Sequence, residues 1–138
     1  MTKNYYLDTS IWLDFFEDRD EPNFSKGKLT HKLLNKIIKE DSKIIYTNLI
    51  FKEMRDFGYT YFELKYLFKP FNKILIYTRP TKKQYGKAKD LAAKRKVPLV
   101  DAIHALIARD NKAVLITRDH HFKRLLDITK SKRPEDLI

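Results

Sequence analysis

Four short apolar runs limit what this chain can fold into more than any other feature. They are Asn4-Tyr5-Tyr6-Leu7, Lys43-Ile44-Ile45-Tyr46, Lys73-Ile74-Leu75-Ile76-Tyr77 and Ala113-Val114-Leu115-Ile116. Each is too short for a stable helix, and each is apolar at consecutive positions, as a strand covered on both faces must be. Between the runs, apolar residues return at helical spacing. Thr9 or Ser10 opens a helix through Ile11-Trp12-Leu13 and Phe15-Phe16, closed by the acidic stretch Asp18 to Glu21 and Pro22. Leu29, Leu33, Leu34, Ile37 and Ile38 mark a helix over Lys28 to Lys39. Leu49, Ile50, Phe51, Met54 and Phe57 mark another, capped through Thr47-Asn48 and stopped at Gly58.

The second half repeats the pattern. Thr60 to Phe68 is aromatic enough to be either core or a partner-facing surface, and Lys73 to Tyr77 reads as a buried strand. Thr81 to Lys96 is a strongly basic helix with Tyr85, Ala88, Leu91 and Ala92 as its apolar stripe. The break at Val97-Pro98 precedes a central helix over Val100 to Arg109. A last helix, His120 to Leu126, leads to a possible edge strand at Asp127-Ile128-Thr129. Strands alternating with helices predict an α/β fold, a mostly parallel sheet flanked by helices on both faces, in one domain over residues 1–138.

Two of the strand ends carry an acid. Asp8 follows the first strand directly, and Asp119 follows the Ala113–Ile116 strand after two residues. In a parallel sheet ligands bind beyond the carboxyl ends of the strands, so both acids are expected on one edge. Asp101 stands at the start of the helix after Pro98, and joins them if that helix enters from the same edge. Glu53 lies one and a half turns into its helix, and helical side chains lean toward the N-terminus, so it can reach back to that edge. Taken singly, each Asp has an ordinary use as a helix cap, worth about 1 kcal/mol, and Glu53 an ordinary use as a solvated residue. Taken together, four carboxylates in a cleft repel one another unless a hard cation neutralises them, and Mg²⁺ or Mn²⁺ suits an all-oxygen site.

Composition sharpens the choice. Lys and Arg number 29 against 18 Asp and Glu, a formal charge of +11, which draws polyanions such as nucleic acid. Cys is absent, which excludes disulfides and thiolate-bound zinc. The three glycines, at 27, 58 and 86, form no phosphate-binding loop. No apolar run approaches the ~20 residues of a membrane span, no secretory signal is visible, and a cytoplasmic chain is expected. An acidic pocket in a cationic body has a mechanical sense. The surface gathers a polyanionic backbone while two ions, about 4 Å apart, activate water and stabilise the leaving oxygen. Lys82, Lys83, Lys87, Lys89, Lys94 and Arg95 form a basic helix face that can meet RNA phosphates or simply face solvent. His104 reads as a packed core histidine, and His120-His121 as surface. Asp14, Asp56, Asp90 and Asp110 read as solvated.

The order Asp8-Thr9-Ser10, a mid-chain helix bearing Glu53, Asp101-Ala102-Ile103-His104-Ala105, then Thr117-Arg118-Asp119 resembles the PIN-domain ribonucleases. The similarity is closest to small prokaryotic VapC-like toxins and covers nearly the whole chain. The Arg133-Pro134-Glu135-Asp136 ending is similar to the tail of archaeal relatives. The resemblance implies endonucleolytic RNA cleavage by Asp8, Glu53, Asp101 and Asp119 with a divalent metal. Thr9, Ser10 and Thr117 would be supporting hydroxyls. It further implies a three-layer fold, often a homodimer, and in toxin members a cognate antitoxin that inserts a segment near the active site. The alternative is a catalytically silent RNA-binding or assembly module of the same fold, for which acids facing phosphate would be a liability. A haloacid-dehalogenase-type enzyme would want a second Asp where Ser10 stands.

Overall fold

Runs of β-branched and aromatic residues form the strands; the Lys-rich segments over 26–39 and 82–95 form helices with one apolar stripe, while the helix over 99–110 is buried at every position from Ala102 to Ala108. The computed structural model describes residues 3–138. β1 (Asn4–Leu7) leads into α1 (Thr9–Phe16) and α2 (Lys26–Lys39). β2 (Lys43–Thr47) is followed by α3 (Asn48–Asp56) and α4 (Tyr61–Phe68), and β3 (Leu75–Thr78) by α5 (Lys82–Arg95) and α6 (Leu99–Asp110). β4 (Ala113–Ile116) and β5 (Ser131–Lys132) complete the sheet. Three 3₁₀ turns lie at Lys69–Phe71, His120–Leu125 and Pro134–Asp136.

The sheet order is β3-β2-β1-β4-β5 and every pairing is parallel. Tyr5, Tyr6 and Leu7 are each at most 1% exposed, so both faces of β1 are covered by helices, as consecutive side chains point to opposite faces. The chain builds outward from β1 in one direction to β3, then returns to add β4 and β5 on the other side. The crevice beyond the carboxyl ends of β1 and β4 is therefore the topological switch point, where ligands of open α/β sheets bind. The Asp8 amide donates to the Ile116 carbonyl at 3.1 Å and so locks the two strand ends together there.

Trp12 anchors the core under α1, with ring centroids 4.7 Å from Phe68, 5.7 Å from Phe16 and 5.8 Å from Phe71. Gly27 lets α2 pack onto the end of α1: a Cβ there would stand 2.9 Å from the Asp18 Cα. Gly58 closes α3 at φ +104°, a left-handed conformation that glycine accepts without strain.

Three expectations change. β3 is an edge strand with Ile76 and Tyr77 exposed, because only β2 pairs with it. Asp127 and Ile128 lie in a turn and Thr129 in no regular element, and the edge strand on that side is β5 at Ser131–Lys132. The segment after Asp119 is a 3₁₀ turn and not an α-helix. In α4, Leu64 and Phe68 are core while Tyr61, Phe62 and Tyr66 face outward, so the segment serves both uses considered for it. Among the described residues, no helix is long and apolar enough to cross a membrane.

Candidate active site

Asp8 sits at the junction of β1 and α1 and is 6% exposed. It caps the helix, with Oδ1 accepting from the Ile11 amide at 3.2 Å. The same oxygen accepts from Ser10 Oγ at 2.7 Å, and Oδ2 accepts from Thr117 Oγ1. Three donors occupy three of a carboxylate's roughly four lone-pair sites, which leaves capacity for one further ligand. Burial pushes the Asp8 carboxyl above its usual range. The Thr117 and Ser10 hydroxyls, His104 and the Ile11 amide pull it back toward the ionised form. Thr117 also accepts from the Asp119 amide at 3.0 Å, so one hydroxyl links the ends of β1 and β4 to both acids.

The sequence offered Thr9 or Ser10 as the opening of the helix and both as supporting hydroxyls. Asp8 itself caps, and both hydroxyls serve carboxylates: Ser10 serves Asp8, and Thr9 Oγ1 donates to Glu53 Oε1 at 2.8 Å. Glu53 does reach back from α3 to the sheet edge. His104 Nε2 meets the same Oε1 at 2.9 Å, while His104 Nδ1 meets the Tyr6 hydroxyl, which in turn lies 3.3 Å from Thr47 Oγ1. His104 is thus the buried, hydrogen-bonded histidine expected, and it holds Glu53 as well. Thr47, expected to help cap α3, spends its hydroxyl on this network.

Asp101 stands in the first turn of α6, directed to the same edge. Its carboxyl is pushed up to about 6, first by burial and then by the charge of Asp119, with His104 and His121 opposing. Asp119 caps the 3₁₀ turn by accepting from the His121 amide at 2.9 Å. Asp8, Glu53, Asp101 and Asp119 together line a cleft of about 170 Å³, along with Thr9, Ser10 and His104. The structure brings all four predicted acids to one place.

Two side chains there were misjudged. His121 Nδ1 lies 3.0 Å from Asp119 Oδ1 and 3.2 Å from Asp101 Oδ2, between two acids and not at the general surface. His120 does face outward, at 78% side-chain exposure, while its ring centroid lies only 4.5 Å from that of His121. The legible signal was the cap itself, since a capping Asp accepts from the backbone amide two or three places on and so holds that residue beside its carboxylate. Asp14, expected to be solvated, is 4% exposed. Burial raises its carboxyl, and Lys26, Arg118 and Arg19 oppose the shift. Arg118 reaches it at 3.7 Å and donates to Glu135 Oε2 at 2.8 Å, pinning the C-terminal turn beside Asp119. Asp56, Asp90 and Asp110 are exposed as expected.

The basic face of α5 divides in two. Gln84 Nε2 donates to Asp110 Oδ2 at 2.8 Å, so Lys82 and Lys83 stand by the far end of α6 from Asp101. Lys87, Lys89 and Lys94 are exposed along the helix. Arg95 is engaged already, donating to Asp127 with both terminal nitrogens and to the Arg124 carbonyl.

The donor set of the cleft suits a hard divalent cation: carboxylate oxygens converge where burial and the charge of Asp119 raise the proton affinity of Asp101. Ligand atoms of Asp101, Asp119 and His121 all lie within 4.8 Å of one another.

A family model described as the PIN domain matches residues 5–127. Among solved structures, a toxin-antitoxin complex from Klebsiella pneumoniae aligns with a TM-score of 0.63 at 18% identity, covering 94% of this chain and 97% of that one. VapBC2 from Rickettsia felis, bound to a DNA fragment from its promoter, aligns with a TM-score of 0.68 at 17% identity, covering 94% and 98%. A protein from Pyrobaculum aerophilum aligns with a TM-score of 0.58 at 20% identity, covering 99% and 95%. At these identities the likeness is one of fold. No curated protein sequence is significantly similar to the chain.

Proposed function

The chain belongs to the PIN-domain family, a family of nucleases, and from that premise we propose that it is a Mg²⁺- or Mn²⁺-dependent endoribonuclease. The observation that carries this reading is the meeting of Asp8, Glu53, Asp101 and Asp119, from four separate segments, at the switch point of the sheet. A chain of charge +11 brings phosphate to that cleft.

Asp8, Glu53, Asp101 and Asp119 would hold the metal, which would supply an activated water and screen the phosphate charge. The chain's own residues prepare the cleft. Ser10 and Thr117 favour ionised Asp8 through their hydrogen bonds. Thr9 and His104 fix Glu53 through one oxygen, and the Tyr6–Thr47 network fixes His104 in turn. His121, between Asp101 and Asp119, can donate to either and steadies the pair. Supporting groups of this kind typically change metal affinity or activity 10–100-fold, roughly, when removed.

We further propose that it is the toxin of a toxin–antitoxin pair, an antitoxin being its protein partner. The support is likeness of fold to chains from such complexes in Klebsiella pneumoniae and Rickettsia felis. Purified protein should cleave RNA with Mg²⁺ or Mn²⁺ and stop in chelator. Asp8→Asn and Asp101→Asn should each lower the rate by at least about a hundredfold. Cleavage that survives chelation, or full activity in both variants, excludes the mechanism, and RNA binding without cleavage under either metal would mark a silent binding module. Expression should arrest growth, and Asp8→Asn should lift the arrest.

A further inference from the structure

On the other side of α3 from the acids lies a larger hollow that the proposed chemistry leaves unused. Its two lobes have volumes of about 640 and 590 Å³ and share Phe51, Tyr61 and Tyr77. Tyr77, near the carboxyl end of β3, and Tyr61, opening α4, are each 49% exposed. Tyr77 is fixed from beneath, while the Tyr61 ring meets the exposed Phe62 at 6.3 Å. Tyr77 lies 5.2 Å from Tyr46, Tyr46 5.7 Å from Phe51, Phe51 5.1 Å from Phe68, and Phe68 4.7 Å from the buried Trp12. A continuous series of ring contacts therefore ties Tyr77 and Phe51 to the core, which preorganises that side of the hollow.

Cations surround the rings. Lys52, Arg55, Lys65 and Lys69 line the hollow against one acid, Asp56. Lys65 Nζ sits 4.9 Å from the Tyr61 ring centroid. Lys52 approaches Asp56 at 3.5 Å with both side chains well exposed, a pairing too weak to withhold the lysine from phosphate. Aromatic faces interleaved with cations match single-stranded nucleic acid, whose bases stack on rings while its phosphates meet positive side chains. A duplex keeps its bases stacked inside and offers no such faces. Protein interfaces share the aromatic rings and arginine but are depleted in lysine, and three of the four cations here are lysines, so a protein partner fits less well.

We propose that this hollow is a subsite for RNA, where unpaired bases stack on the rings and nucleotides are held next to the phosphate presented to the acids. The purpose of the subsite rests on the ribonuclease reading, but its test does not. α3 is the shared wall: Glu53 faces the acid cleft while Phe51, Lys52 and Arg55 face the hollow. A helix is about 10 Å across, a span that a few nucleotides cover.

The test is binding of a fluorescent single-stranded RNA of about a dozen nucleotides, and of the matching duplex. It uses wild-type protein in chelator and, separately, Asp8→Asn protein with Mg²⁺, across a salt series. Tyr61→Ala and Tyr77→Ala should each weaken single-strand binding roughly 5- to 100-fold, leaving the salt slope and duplex binding unchanged. Tyr61→Phe, which keeps the ring face, should bind as wild type. Lys65→Ala and Lys69→Ala should each reduce the salt slope by about 0.7. Thermal melts establish that each variant is folded. The proposal is overturned if wild-type protein does not bind single strands, if the Tyr variants bind them as tightly as wild type, or if duplex binding falls equally. It is also overturned if the Tyr variants change the sedimenting mass while RNA affinity stays fixed, the mark of a protein interface. Weakened binding in the Tyr variants of a protein that cleaves no RNA would leave the subsite standing and remove the ribonuclease reading. Cleavage with unaltered binding would do the reverse.

Discussion

A single residue, Asp101, shows most clearly what gathering the acids costs the folded chain. Unfolded, its carboxyl ionises near 3.8; folded, burial and Asp119 raise that to about 6. Between these values the folded chain binds a proton that the unfolded chain has released. Stability contributed by protonated Asp101 is therefore full below about pH 4 and lost as pH rises through 6. The loss amounts to about 3 kcal/mol in metal-free protein at neutral pH. Asp101→Asn should accordingly raise the Tm in chelator at pH 8, leave it close to wild type near pH 4, and abolish cleavage. Calorimetry across that range checks it; a variant no more stable than wild type at pH 8 would contradict the cause assigned to the shift. The identity of this acid was legible from its sequence context after Pro98. Its raised proton affinity was not, because it depends on Asp119, eighteen positions away.

At the scale of elements, local signals read well and neighbour-dependent ones did not. Thr81 opens α5 with a capping box, its hydroxyl accepting from the Gln84 amide at 3.0 Å and Gln84 Oε1 accepting from the Thr81 amide at 2.9 Å. Thr81→Ala should cost about 1 kcal/mol in urea denaturation with an unchanged slope, and leave cleavage intact because the acid cleft lies elsewhere. The start of that helix was visible because the cap and the apolar stripe lie within a few residues. β3 was misread as buried because Lys73-Ile74-Leu75-Ile76-Tyr77 has the same apolar texture as a central strand, and only its place at the sheet edge exposes it. The 3₁₀ turn after Asp119 is a similar case. Its closure turned His121 toward Asp101, while helical reasoning sent both histidines outward.

At the scale of the whole molecule, the acids converge because every strand of the sheet points the same way and β1 is its centre. A cation bound there is bound by the folded chain and not by the unfolded one. Mn²⁺ at about a hundred times its Kd should therefore add about 2.7 kcal/mol of stability, read as a rise in Tm that chelator reverses. Asp8→Asn should shrink that rise. An unchanged Tm with Mn²⁺ present would mean that the four carboxylates hold no metal. The gain should also diminish below pH 6, where protons compete for Asp101.

The sequence by itself determined the alternation of strands and helices, the parallel sheet and the acids that stand at strand ends. Those follow from apolar period, chain direction and the capping habits of Asp and Thr, all of which act over a few residues. Only the tertiary structure decided the rest. It placed His104 and Thr9 on one oxygen of Glu53, and it let Thr117 join Asp8 to Asp119. It buried Asp14 against Arg118, and it gathered Phe51, Tyr61 and Tyr77 into a platform beside the acids. Each of those contacts joins residues distant in the chain, so its geometry comes from the packing of whole elements, which no local pattern records.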